Sequence, residues 1–133
     1  MKFTGKHLLK NLSPKNKRDI GDLGEDYACK ILKRKGMKII ERNFFTRFGE
    51  IDIIARDGEY TVFVEVRLRK DTDFGTPAET IDEKKQAKII KAAKEYAIKN
   101  YIYDFPMRFD AVVITGDTQS NFKAEVIENA FQL

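Results

Sequence analysis

The stretch GEIDIIARDGEYTVFVEVRLR, residues 49–69, most limits what this chain can become. Two runs rich in Ile, Val and Phe flank Asp57-Gly58, a dipeptide that favours a two-residue hairpin turn because glycine takes positive φ without steric cost. With Asp57 and Gly58 as the central turn residues, Asp52 faces Phe63 and Glu50 faces Glu65. Strand side chains alternate, so Glu50, Asp52, Phe63, Glu65 and Arg67 share one side, and Ile51, Ile53, Val62, Val64 and Val66 share the other. The second set reads as the main core face. Asp52 and Glu65 are then diagonal neighbours about 7 Å apart, within reach of a common cation.

The segments around the hairpin extend it into an α/β domain. Apolar residues at Ile20, Leu23, Tyr27 and Ile31, with Ala28 beside them, predict a helix over 19–35 that Gly36 stops. Gly21 and Gly24 cost that helix about 1 kcal/mol each relative to alanine, and glycine there permits close packing against a neighbour. Residues 37–45 read as a short strand and 71–78 as a loop. Thr80-Ile81-Asp82-Glu83 has capping-box form and opens a helix over 80–100. Residues 107–115 and 122–128, separated by Gly116-Asp117, read as a second strand pair. The order α-β-β-β-α-β-β predicts a mixed central sheet flanked by helices.

Length and charge narrow the class further. At 133 residues the chain suits one domain, and 42% hydrophobic residues can fill a core. With 35% charged residues and no apolar run near the roughly 18 a span needs, no membrane segment is expected. No continuous apolar h-region marks a signal peptide, and the expected compartment is the cytoplasm. One cysteine excludes an internal disulfide, and with one histidine it argues against a His/Cys zinc site. Residues 1–18 carry six basic residues and no acid, which takes +6 out of a net +4 and leaves the rest at −2. The organisation expected is a basic, flexible N-terminal arm over 1–18 and one domain over 19–133. Such an arm either contacts nucleic-acid phosphates or simply aids solubility.

The acids of the hairpin suit a specific chemistry. A hard cation such as Mg²⁺ binds one or two carboxylates together with water and substrate phosphate. Beside a phosphodiester it polarises the phosphoryl oxygen and activates water, while a neighbouring cation offsets the developing charge. Asp52, Glu65 and Arg67 supply those parts. The competing interpretation is a solvated sheet face with weak ion pairs. Glu25, near the start of the first helix, either faces this side of the sheet or complements the helix dipole. In the second helix Lys84 and Lys85, beside the FGTP loop, are placed to touch a phosphate backbone. The row Lys84, Lys88, Lys91 and Lys94 otherwise reads as a solvated face. Gln86 lies within the apolar arc and either reaches the carboxylates or bonds to a backbone group. Asp110 is a strand-end acid or part of the site, and Phe44, Phe45 and Phe48 are either core or an exposed patch.

The strings GDLGEDYACKILKRKG, NFFTRFGEIDIIARDGEYTVFVEVRLRK, FGTPAETIDEKKQAKIIKAAKEYA and RFDAVVI occur in this order over roughly residues 19–115. Together they resemble the YraN-like family of small, largely uncharacterised bacterial proteins. That family is regarded as predicted endonucleases distantly similar to archaeal Holliday junction resolvases, within the PD-(D/E)XK nuclease superfamily. The resemblance implies a restriction-endonuclease-like α/β core and a Mg²⁺- or Mn²⁺-dependent cleavage of DNA, in repair or recombination. It implies metal ligation by Asp52 and Glu65, with Glu25 completing the set and the Val66 carbonyl as an added ligand. Arg67 stands where the motif has lysine, and Ile51 where it has proline. Arginine stays charged at working pH, so Arg67 suits holding phosphate or stabilising charge rather than accepting a proton. The alternatives are a non-catalytic nucleic-acid-binding module on the same fold, or an adaptor. A homodimer would follow only by analogy with resolvases.

Overall fold

The computed structural model describes residues 17–70, 81–116 and 118–132. Most of the basic arm, the loop expected over 71–78 and the proposed cap Thr80 lie outside them. Helix α1 spans Lys17–Arg34, followed by strands β1 (Lys38–Thr46), β2 (Gly49–Asp57) and β3 (Tyr60–Arg69). Helix α2 (Glu83–Lys99), β4 (Met107–Thr115) and β5 (Lys123–Phe131) complete the order that the sequence pattern predicts. The five strands form one sheet in sequence order, antiparallel throughout except for the parallel pair β3 and β4. A parallel neighbour requires a crossover, and α2 lies within that connection.

The hairpin turn sits one residue further along than expected. Asp57 pairs with Tyr60, so Gly58 and Glu59 are the central residues. Of these two only Gly58 has positive φ, at 61°, as a II′ turn with glycine in its first central position requires. Asp52 therefore faces Glu65 instead of Phe63; on β3 the expected separation of Phe63 from Val62 and Val64 holds, but on β2 Ile51 packs with Ile54 and Phe63 and not, as expected, with Ile53.

Both faces of the sheet are covered, as expected of a mixed sheet flanked by helices, and the face opposite the Ile/Val side carries a core of its own. Under α1, Ala28 and Leu32 pack on Ile53, Val62, Val64, Val112 and Ile114. Under α2, Ile89, Ala93 and Tyr96 pack on Ile54, Phe63, Phe109 and Phe131. Ile51 joins this second cluster, beyond the point where the ladder between β2 and β3 ends at Ile53 and Val64. Tyr96 meets Phe44 and Phe63 edge-on, at 5.1 Å and 5.7 Å between ring centres. Phe44 is thus core; Phe45 is 73% exposed and Phe48 half-buried.

The helix ends show which local signals operate. At the start of α2 the cap is Asp82, not Thr80: its Oδ1 accepts from the Lys85 N–H at 2.8 Å, and Ile81 turns into the core. On α1, a side chain at Gly24 would meet Leu68 Cδ2 at 3.2 Å, whereas one at Gly21 would meet nothing within 4 Å. The close-packing role belongs to Gly24 alone. Gly21→Ala is expected to stabilise the fold by about 0.5–1 kcal/mol, since it lowers unfolded-chain entropy without a clash. Thermal unfolding checks this, and an unchanged or lower midpoint contradicts it.

Candidate active site

The site is built where β2 and β3 part. Beyond Ile53 and Val64 the ladder has no further pairs, and the next step of the register sets Asp52 against Glu65. The Val66 N–H is taken up by a side chain instead, donating to Asp52 Oδ2 at 2.8 Å. That bond fixes one carboxylate oxygen. Glu65 is 3% exposed and Asp52 half-buried, on the side of the sheet that α2 covers.

Two carboxyl groups so placed cannot both ionise without cost. Burial, then the neighbouring Glu65 charge, pushes Asp52 up to about 7, against the lowering effect of the Val66 N–H. Glu65 is raised by burial as well, opposed by Lys85, by its hydrogen bond with Asp52 and by Arg67. Two cations approach the same oxygen: Lys85 Nζ lies 3.8 Å and Arg67 Nε 3.7 Å from Glu65 Oε2. The Arg67 Nε is buried and makes no hydrogen bond. Lys85, expected at a phosphate backbone, is thus also the ion-pair partner of the acid. Lys84 is exposed on the first turn of α2.

A second layer of acids stands beside this pair. Glu25 from α1 is held by Arg42, Nη2 to Oε1 at 3.4 Å, while Arg42 Nη1 donates to Asp26 at 2.8 Å. With its amide turned to suit its neighbours, Asn43 donates to Glu50 Oε2 at 2.7 Å and Glu25 Oε1 at 3.2 Å. Burial and then the charge of Asp52 raise both Glu25 and Glu50. Among the described residues, no three His, Cys, Asp or Glu side chains converge closely enough to hold a metal as a set. The donor set that remains, two adjacent carboxylates, is all-oxygen and matches what Mg²⁺ or Mn²⁺ takes from a protein when phosphate and water complete the shell. A divalent charge there would also relieve the repulsion that raises Asp52.

Two other expectations resolve differently. Gln86 does not reach the carboxylates: its Nε2 donates to the Ile81 carbonyl at 2.9 Å and ties down the start of α2. Asp110 belongs to a separate network. It is fully buried and accepts from Arg108 Nε and Nη2, both at 3.0 Å, and from the Asn129 N–H at 3.1 Å. Arg108 Nη2 also donates to Asp57 Oδ2 at 2.9 Å. Sequence reasoning left Glu50, Arg42 and Asn43 out of the site. Glu50 stands on the hairpin beside Asp52 in sequence, but Arg42 acts on α1 and Asn43 on α1 and β2, contacts that carry no local signal.

Residues 24–114 match the family described as "Uncharacterised protein family UPF0102". A UPF0102 protein of Carboxydothermus hydrogenoformans is 48% identical over 99 residues, covering 74% of this chain and 84% of that protein. Another, from Clostridium botulinum, is 45% identical over 118 residues, covering 87% of this chain and 96% of its own. Among the described residues no helix is long and apolar enough to cross a membrane.

Proposed function

This chain belongs to the uncharacterised, YraN-like protein family UPF0102, and from that premise we propose that it is a divalent-metal-dependent endonuclease acting on DNA. The observation that supports this most is the pair Asp52 and Glu65: two carboxylates side by side where β2 and β3 part, both raised by burial and Asp52 further by the charge of Glu65, with two cations against Glu65. Asp52 and Glu65 would hold Mg²⁺ or Mn²⁺, with Glu25 as a further donor once released from Arg42. Bound there, the ion would supply Lewis acidity toward a phosphodiester and an activated water.

The chain's own groups account for the rest. The Val66 N–H holds Asp52 in one orientation, so the carboxylate needs no reorganisation on binding. Arg67 remains protonated and acts on charge at the phosphate, not as a base. Lys85 brings an ammonium to the place that a lysine on β3 would otherwise serve. No group in this set reads bases, so selectivity would come from the shape and phosphates of the nucleic acid.

A second reading has two observations in its favour. With Arg67 in the lysine position and Glu25 tied to Arg42, the same surface would serve a nucleic-acid-binding module that does not cleave. Incubation of labelled branched and single-stranded DNA with Mn²⁺ separates the two. Cleavage that Glu65→Gln lowers by at least about 10²-fold supports the nuclease. Binding without cleavage supports the module.

A further inference from the structure

A groove lies between the β1–β2 turn and the C-terminal half of α2. It has a volume of about 360 Å³ and is lined by Arg47, Phe48, Lys91, Lys94, Glu95 and Ile98. The Phe48 ring forms its aromatic wall, with the Arg47 guanidinium 4.9 Å and the Lys91 ammonium 5.7 Å from the ring centre. Ile98, 64% exposed, extends the apolar surface. Three cations against one acid give the lining a net positive charge.

The groove lies along the same helix as Lys85, one of the two cations at the carboxylates. On α2 the lysines recur every third residue: Lys85 at Glu65, then Lys88, then Lys91 and Lys94 in the groove. The Lys88 Cβ lies 3.9 Å from where a side chain on Gly49 would begin, which places that lysine between the two. Lys85 to Lys94 rises about 13 Å along the helix. Phe48 to Asp52 rises about 13 Å along the chain. That length accommodates about four stacked nucleotides at 3.4 Å each.

We propose that this groove is a subsite for a single nucleic-acid strand, in which a base stacks on Phe48 while Arg47, Lys91 and Lys94 contact its flanking phosphates, about four nucleotides from Asp52 and Glu65. An aromatic face beside a row of cations fits a polymer that offers a π-face and a negative charge in every unit. The inference rests on the nuclease reading for its direction, but binding tests it independently of cleavage.

The test is fluorescence anisotropy of a labelled single-stranded DNA 12-mer with the full chain, in EDTA, across a salt series. Phe48→Leu is expected to weaken binding about 5- to 100-fold while leaving the salt slope unchanged. Lys91→Ala with Lys94→Ala is expected to weaken binding and to reduce the slope of log K against log salt by about 1.4. Because both lysines are exposed, this second variant reads the groove even if Phe48→Leu perturbs packing. Lys30→Ala, exposed on α1, serves as the control and should match the parent. Equal binding by parent and groove variants, no binding by the parent, or competition by polyglutamate as strong as by DNA would each overturn the subsite. Unchanged binding by Phe48→Leu alongside cleavage that needs Asp52 removes the groove and leaves the nuclease. Weakened binding without any cleavage does the reverse.

Discussion

Asp52→Asn is expected to lower metal-dependent cleavage by at least about 10²-fold while making the metal-free protein more stable at neutral and alkaline pH. The two effects have one cause. Burial and the adjacent Glu65 hold the Asp52 carboxyl above its unfolded value, up to about 7, so the fold binds this proton more tightly than the unfolded chain does. The stability tied to that proton is fully present below about pH 4 and is lost as pH rises through about 7. Asparagine keeps an acceptor for the Val66 N–H and never ionises. The stability of the variant relative to the parent should therefore grow between pH 4 and 7 and level off above. A gain of about 1–3 kcal/mol at pH 8 is expected, after allowance for partial exposure. Glu65, Glu50 and Glu25 lose a negative neighbour in the same variant, which adds in the same direction, while Lys85 loses an attraction. Denaturant unfolding at pH 4.5 and pH 8 measures the difference, and a variant less stable than the parent at pH 8 would contradict it.

Asp110→Ala is expected to destabilise the protein by about 3–5 kcal/mol, because it leaves a buried guanidinium short of its main partner. Arg108 is 7% exposed and Asp110 fully buried, and the pair is joined by two hydrogen bonds at 3.0 Å. Truncation would also strand the Asn129 N–H, since that residue sits at positive φ where β5 meets the carboxylate. For a domain of this size the loss corresponds to a fall of about 10–20 °C in unfolding midpoint. Arg108→Met with Asp110→Leu should recover most of it, because replacing both charges removes the penalty of an unpaired one. A single variant that melts within about 3 °C of the parent would contradict this account.

The hairpin shows what was legible in the sequence and what was not. Strand alternation separates Phe63 from Val62 and Val64 correctly, but it puts Ile51 with Ile53, whereas Ile51 packs under α2 with Ile54 and Phe63. The register did not follow, because Asp57-Gly58 is compatible with glycine in either central position and only the folded backbone selects the first. That single step turns Asp52 and Glu65 from diagonal neighbours into facing ones. The second core, under α2, was hidden by the acids beside it: a strand bearing Glu65 looks solvated until Ile54 and Phe63 are seen beneath the helix.

The helices divide along similar lines. Lys85 was recognised as a cation near the site, but its partner is across the sheet and nothing local names it. Gln86 had two outlets on paper, and the nearer one, the Ile81 carbonyl, satisfies it. Asp110 was readable in principle, since Arg108 and Asp110 are two apart in a β run and so share a face. Their shared burial depends on Asp57 and Asn129, distant in sequence.

Isothermal titration of Mn²⁺ into the full chain, with a non-cleavable DNA strand present to supply phosphate, tests the metal-nuclease assignment most directly. One binding site that disappears in Asp52→Asn and in Glu65→Gln, with both variants folded, is the predicted result. No heat in the parent, or the same heat in parent and variants, would contradict the assignment and leave the non-catalytic binding module in its place.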